Sequence, residues 1–323
     1  MIKIIDGTLT ILDSRRITAA QAGRFLELLH EVGVEAAAIS PGIYRLLSGT
    51  LPGGMTYYLE QNGIALQHQE YPGIDYFISN YYEGYGKTIR NYQLNELVEL
   101  RGICADDPQR KLRLTGLDDL LTYESERIYE RAMAVIMQLS PIVYPEDTCC
   151  CATAIAVSYL QHHSGGTVMA TFTGIGGKAA TEQVMVAMRV LQRYKPNQSL
   201  KKLRELRNLF EEMTGKKVSP HAPVVGERVF YVESGIHVDG VLKKPSNYES
   251  YPPELVGAER KIIMGKHSGK ASVKHKLLEL GMNEAEFDVE RILEQVKRLG
   301  IKKGGEVDDL EFQDIARRCR TDA

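Results

Sequence analysis

The first two-thirds of the chain alternates short apolar runs with amphipathic stretches. Short apolar runs between turn residues are typical of buried strands, and apolar residues three and four apart form one face of a helix. This alternation predicts a parallel sheet covered by helices on the outside. The strands predicted in this way are Ile2–Leu12, which enters a loop, Glu35–Ser40, Leu139–Tyr144 and Thr167–Thr173.

Helices are predicted between and after these strands. Thr18 and Gln21 have the spacing of a capping box, and Gly33 suits the end of the helix that they open. Asn283 with Glu286 resembles another helix cap, ahead of a buried helical face. The further helices and faces predicted are a long helix through Ile128 and Ala134, Ala152–His162, Thr181–Tyr194, a helix over 203–214 closed by Gly215, and the face Phe287, Ile292, Val296 and Leu299.

Residues 51–110 have a less regular pattern. Six tyrosines fall between Tyr71 and Tyr92. A packed loop, a ligand platform and an interface with a partner all remain open for this cluster, because tyrosine suits sites that are part buried and part wet. The short strands predicted here are Ala65–Gln69, Tyr76–Ser79, Leu97–Ile103 and Leu112–Leu114.

Composition excludes several classes of protein. The 323 residues include 40 Lys and Arg against 42 Asp and Glu, a net charge of -2 that disfavours nucleic acid or a polybasic membrane surface as partners. No apolar run approaches the length of a membrane span. Five cysteines, three of them adjacent at Cys149–Cys151, do not form a disulfide framework, so we expect a reducing, cytoplasmic location.

Three segments of the C-terminal third have residue patterns distinctive enough to serve as motifs. They are Ser234–Gly240 (SGIHVDG), Lys244–Glu249 (KPSNYE) and Gly265–Gly269 (GKHSG). Their order and spacing closely resemble the homocitrate synthases and 2-isopropylmalate synthases, and the resemblance is strong over about residues 152–315. It implies an α/β chain with a TIM-type (β/α) barrel, here shortened or distorted, followed by a mostly helical appendage of two small subdomains.

The resemblance also implies particular chemistry. In this family, acetyl-CoA loses a methyl proton and its enolate attacks a 2-oxo acid held by a divalent metal. An imidazole suits the base and a tyrosine hydroxyl suits proton relay. Carried over to this chain, these residues are His237 and Tyr248, which the family presents to the active site of the other subunit. A structural histidine in a loop is the competing interpretation for His237.

Three polar neighbours complete the candidate site. Glu233 and Asp239 could orient His237. His267 has a competing interpretation as part of a glycine-flanked turn at the start of a helix, where Ser268 is the candidate cap. Lys178 could suggest a Schiff-base aldolase, but nothing else in the sequence supports that reading.

The barrel lacks the family's own metal site. The family opens its first strand with D-T-T-L-R-D-G-E-Q, whose arginine is catalytic, whereas Asp6–Asp13 of this chain has Thr10 at that position. An isoleucine cannot bind a cation, and a tyrosine would have to ionise against a high pKa. The sequence therefore predicts no metal on this chain. The four family ligand positions here are Ile11, Tyr144, Glu146 and Thr173.

The chain keeps the His/Tyr motif that the family presents to another subunit, but its barrel has lost the family's metal ligands. This difference suggests that the reaction is divided between two chains. The arrangement resembles split homocitrate synthases, in which an omega subunit pairs with a catalytic alpha-type subunit. That resemblance implies a partner that holds the metal, acetyl-CoA and a 2-oxo acid such as 2-oxoglutarate, and a product used for the nitrogenase cofactor. A homodimer is kept open for the isolated chain. The alternatives are a non-catalytic regulatory or scaffold subunit and an independent enzyme with remodelled barrel chemistry.

The expected organisation has three parts. Residues 1–214 form the degenerate barrel, 215–260 a linker and subdomain I with the His/Tyr motif, and 261–323 a helical subdomain II. A complete TIM barrel commonly takes about 250 residues. The sequence therefore predicts a barrel that is short, with the shortfall between residues 40 and 140.

Overall fold

Our computed structural model describes residues 2–61, 71–80, 86–105, 111–121 and 126–321. The chain divides into two compact units, Met1–Val225 and Gly226–Ala323. The division falls inside the segment predicted as linker and subdomain I.

The first unit is a closed barrel of eight parallel strands. Each strand pairs with the next one along the chain, and the last pairs with the first through Lys3–Thr167 to Asp6–Ala170. This topology confirms the predicted α/β fold with a TIM-type barrel. The strands are β1 (Lys3–Asp6), β2 (Ala36–Ile39), β3 (Thr56–Glu60), β4 (Tyr76–Ser79), β5 (Thr88–Leu94), β6 (Leu112–Gly116), β7 (Ile142–Pro145) and β8 (Thr167–Ala170).

The barrel is short without being incomplete. All eight strands are present, and the shortening lies in the connections between them. Only eight residues, 80–87, separate β4 from β5. That is below the usual minimum of about 10–12 residues for a crossover containing a helix.

The helices predicted from capping and periodicity are present, and three short helices, Thr8–Ile11, Pro41–Leu46 and Leu100–Ala105, were not predicted. The capping box is confirmed, because the Thr18 hydroxyl accepts a hydrogen bond from Gln21 N at 3.2 Å and the Gln21 side chain accepts one from Thr18 N at 3.0 Å. The helices of this unit are α1 (Thr8–Ile11), α2 (Ala19–Glu31), α3 (Pro41–Leu46), α4 (Leu100–Ala105), α5 (Glu126–Leu139), α6 (Ala152–His162), α7 (Thr181–Gln192) and α8 (Leu203–Thr214).

One predicted strand is wrong, and two barrel strands, β3 and β5, were missed. The segment Leu97–Ile103 is helical, since Leu100 and Ile103 lie three apart on one buried face and the Glu99 carboxylate accepts hydrogen bonds from two backbone amides before it. Strand β5 was missed because it carries polar residues where alternation would place apolar ones. The predicted strands Tyr76–Ser79 and Leu112–Leu114 are confirmed, and Ala65–Gln69 lies outside the described residues.

The second unit has its own helical core. Phe312, Ile292 and Val296 are fully buried, whereas Phe287 and Leu299 are half-buried against them. Asn283 caps only a short turn at Glu284–Glu286, and Asp288 caps the long helix instead. The elements are β9 (Tyr231–Val232) parallel to β10 (Lys261–Ile262), α9 (Gly235–Lys243), α10 (Lys270–Glu279), α11 (Val289–Lys303) and α12 (Asp309–Arg318).

The described part of the chain contains no helix long and apolar enough to cross a membrane.

Two buried carboxylates lie where β1 meets the start of α7. Asp6 accepts hydrogen bonds from Thr8 N at 2.9 Å and from the Thr181 hydroxyl at 2.6 Å. Glu182 accepts one from Thr173 N at 2.9 Å. Burial outweighs these bonds and raises the pKa of Asp6 to about 6 and that of Glu182 to about 7.

These raised pKa values predict that stability falls as pH rises. Between the unfolded and folded pKa of each group, the folded state binds the proton more tightly, so the stabilisation is complete at low pH and is lost through pH 6 to 7. Over pH 5 to 8, Asp6→Asn should flatten this decline by about 1.4 kcal/mol, because about one pH unit of the window lies below the folded pKa of Asp6. Urea unfolding from pH 5 to 8 measures it.

The matched control is Asp13→Asn. The pKa of this exposed carboxyl is lowered by hydrogen bonding to Arg15, so it titrates well below the tested range. The variant should reproduce the wild-type decline. A decline of equal slope in the Asp6→Asn chain would contradict the prediction.

Candidate functional site

The second unit contains a cavity of about 460 Å³ that brings the two predicted catalytic residues together. His237 on α9 and Tyr248, just after the short turn Pro245–Asn247, both line it. Their rings meet edge to face with centroids 5.8 Å apart. Both side chains are exposed, so either can reach a group that enters the cavity.

Local packing holds this pair in place. Val238 and Val241 bury one face of α9, which turns His237 outward. The Tyr248 ring lies directly over Gly240, one turn after His237. A Cβ at residue 240 would stand 2.2 Å from the Tyr248 ring, so only glycine leaves room for this contact.

Glu233 ties two of the sequence motifs together. It lines the cavity, and its carboxylate accepts a hydrogen bond from His267 N at 2.8 Å. The backbones of Gly235 and Gly269 also touch, since a Cβ at either residue would lie within 2.8 Å of the other backbone. The SGIHVDG and GKHSG segments are therefore packed as one structure.

Two of the predicted supporting residues stand apart from the pair. Asp239 is two residues from His237, so it faces another side of α9, where it pairs with Lys243 at 2.7 Å. His267 contributes its backbone amide, while its side chain is exposed and does not line the cavity. Neither side chain is placed to orient the His237 ring.

Sequence reasoning missed the opposite wall of the cavity. Glu249 forms two hydrogen bonds with Arg260, at 2.6 and 2.7 Å, and is otherwise nearly enclosed. Tyr251 packs edge to face on Phe230, with ring centroids 5.5 Å apart. The sequence could have indicated Glu249, because it is the last residue of the KPSNYE motif. Arg260 lies outside every motif, so no sequence pattern pointed to it.

The barrel interior is occupied by ion pairs. Arg113, 3% exposed, donates two hydrogen bonds to Glu60 at 2.6 and 2.7 Å and one to Asn91 at 2.8 Å. Lys178 pairs with Glu146 at 2.8 Å. Both cations lie over the Tyr144 ring, with the guanidinium carbon 4.9 Å and the ammonium 4.4 Å from its centroid.

The family's metal positions do not fit a divalent cation here. Glu146 is already bonded to Lys178 and to Gln93, and burial raises the pKa of Tyr144, which opposes its ionisation. Ile11 is apolar, and the neutral hydroxyl of Thr173 is a poor ligand for a divalent cation. No cluster of three or more His, Cys, Asp or Glu residues suited to a metal occurs in the described ranges.

Comparison with known proteins finds similarity to homocitrate synthases and to related synthases. Residues 224–304 match the family "Homocitrate synthase post-HMGL domain-like". The omega subunit of homocitrate synthase from Clostridium pasteurianum is 27% identical over 313 residues, covering 89% of this chain and 87% of that protein. Among solved structures, hydroxymethylglutaryl-CoA lyase from Pseudomonas aeruginosa has a TM-score of 0.44 at 13% identity, covering 67% of this chain and 93% of that one.

Two further relatives share a shorter segment. Homocitrate synthase AksA from Methanothermobacter thermautotrophicus is 40% identical over 49% of this chain and 41% of its own length. A probable 2-isopropylmalate synthase from Methanopyrus kandleri is 42% identical over 46% of this chain and 31% of its own. The matched segment thus spans less than half of these two relatives.

By its motifs and by these relatives, the chain resembles the homocitrate synthase and 2-isopropylmalate synthase family of acyltransferases. Within that class, its similarity to a named omega subunit extends over most of both chains.

Removing the partner of Arg113 should strongly destabilise the chain. Glu60→Ala leaves a buried guanidinium without its carboxylate, which typically costs about 3–5 kcal/mol. The control Glu27→Ala breaks an exposed pair with Arg24, worth about 1 kcal/mol or less. Urea unfolding of both variants compares the two losses, and equal losses would contradict this account of the barrel interior.

A methyl group at Gly240 should separate the His/Tyr pair. Gly240→Ala places a Cβ inside the Tyr248 ring position, so the ring must move away from His237. The His237 ring protons should then lose the ring-current shift caused by Tyr248 in an NMR spectrum. Gly305→Ala, which meets no atom within 4 Å, is the matched control. An unchanged His237 resonance in Gly240→Ala would contradict the packing described.

Proposed function

We propose that this chain is a subunit of a homocitrate-synthase-type acyltransferase and supplies His237 and Tyr248 to a partner's barrel. The reaction would join acetyl-CoA to a 2-oxo acid, with 2-oxoglutarate as the proposed acceptor. A catalytic alpha-type subunit would hold the divalent metal and both substrates. The observation that carries the proposal is the exposed His237–Tyr248 pair at a cavity, on a chain whose own barrel interior is closed by ion pairs.

The chemistry of the pair suits this role. The His237 imidazole can act as a base, so it can take the methyl proton of a thioester. The Tyr248 hydroxyl beside it can donate to oxygen where negative charge develops. Groups that act on another chain must be accessible, and Tyr248 is 48% exposed.

The surface around the pair supports a partner. Ile236 is 81% exposed immediately before His237, and Leu242 on the same helix is 46% exposed. Exposed apolar side chains beside functional residues add apolar area that a partner could cover. The relative from Clostridium pasteurianum is itself named as a subunit, which supports an assembly of two kinds of chain.

The cellular setting is proposed on the same resemblance. A cytoplasmic enzyme that makes homocitrate for the nitrogenase cofactor fits split homocitrate synthases. A second candidate function is a scaffold subunit without catalytic groups, favoured by the lack of fit between this barrel and a metal.

The decisive experiment reconstitutes the complex with an alpha-type subunit and measures CoA release from acetyl-CoA and 2-oxoglutarate. His237→Ala should lower kcat by roughly 10²–10⁴-fold, the usual contribution of a general base. Asp239→Ala, on the same helix but facing away, should keep most of the activity. Size-exclusion chromatography shows that each variant still assembles.

Two outcomes would overturn the proposal. Full activity of an assembled His237→Ala complex would assign the chain to the scaffold role. Turnover at enzyme-like rates by the isolated chain with added metal would place the whole reaction on this chain.

A further inference from the structure

The second unit contains another cavity, of about 350 Å³, between α11 and α12. It takes no part in the proposed function, and it shares no lining residue with the cavity around His237 and Tyr248. Its rim is cationic: Arg291, Arg298 and Lys302 come from α11 and Arg318 from the end of α12. None of the lining residues that the structure describes is acidic.

The α11 residues form one exposed stripe. Arg291, Gln295, Arg298 and Lys302 are spaced four, three and four residues apart, which places them on the same side of the helix. At 1.5 Å per residue the stripe is about 16 Å long. The helix dipole accounts for Lys302 in the last turn of α11 but not for Arg291, which lies in the first turn, where the dipole disfavours a positive charge.

Other cationic side chains near this cavity are neutralised by ion pairs with carboxylates. Lys303 pairs with Glu311 at 2.6 Å, Arg317 with Asp314 at 3.4 Å and Arg320 with Glu286 at 2.5 Å.

The cavity's own cations lack such partners. Within the described ranges, Arg291, Arg298 and Lys302 have no carboxylate at ion-pair distance, and Arg318 donates only to the carbonyl oxygen of Asp314 at 3.0 Å. The rim therefore has positive charge available for a ligand.

The floor is apolar. Leu299 is half-buried, and Ile315 and Cys319 are 5% and 2% exposed. Guanidinium groups match the oxygens of phosphate in pairs of hydrogen bonds, and an apolar floor suits the carbon-rich part of the same ligand. The volume lies within the range of small-molecule sites, about 300–1,000 Å³.

We propose that this cavity binds an organic polyphosphate, with its phosphates on the arginines and lysine and its less polar moiety on Leu299 and Ile315. A single inorganic anion would meet only part of a stripe of this length. Nucleoside triphosphates and coenzyme A share this chemistry and are the two sources to distinguish.

Isothermal titration calorimetry on the full chain at low salt tests the proposal with ATP, coenzyme A and inorganic tripolyphosphate. We expect one saturable site for at least one organic ligand, with affinity that falls as salt is added. Arg298→Glu combined with Lys302→Glu should weaken binding by about tenfold or more. Lys297→Glu, on α11 but outside the cavity, should change affinity by about threefold or less.

Three results would overturn the proposal. They are no saturation by either organic ligand, unchanged affinity in the double variant, or tripolyphosphate binding as tightly as the organic ligands. Binding of a polyglutamate peptide in preference to all three would assign the surface to an acidic protein and overturn it as well. If thermal unfolding shows that the double variant does not fold, Arg291→Gln with Arg298→Gln replaces it and should give the same loss.

Discussion

A guanidinium buried inside a closed barrel constrains much of the first unit. Arg113 cannot be solvated there, so it must be met by a carboxylate and by further acceptors, which Glu60 and Asn91 provide. These contacts tie β3 and β5 to β6. They also explain why β5 carries polar residues inward. A barrel whose centre is filled by matched charges has little capacity for a metal and an anionic substrate.

The two units therefore differ in what their charges do. In the barrel, Arg113 and Lys178 are paired with carboxylates and lie over one tyrosine ring. In the second unit, His237 and Tyr248 face an open cavity. Charges paired within a chain stabilise its fold, whereas accessible titratable groups can act on something else. This contrast is the physical basis for our proposal that the second unit supplies catalytic groups.

Close backbone packing fixes the relative positions of His237 and Tyr248. Tyr248 lies on Gly240 with no room for a methyl group, and Gly235 touches Gly269. Glu233 then joins His267 through a backbone amide. The motif residues therefore have different roles. His237 and Tyr248 present exposed side chains to the cavity, the His267 amide and the glycines hold the segments together, and Glu233 does both, since it lines the cavity and bonds to that amide.

Sequence alone was enough for the elements whose signal is local. The capping box at Thr18–Gln21, helix Ala152–His162 and the parallel strand–helix alternation follow from spacing between near neighbours. The motifs also identified His237 and Tyr248 as a pair. Only the tertiary structure decided that the His267 amide meets Glu233 and that Arg113, Glu60 and Tyr144 meet inside the barrel. Those outcomes depend on contacts between residues tens of positions apart, where burial and charge pairing outweigh local preference.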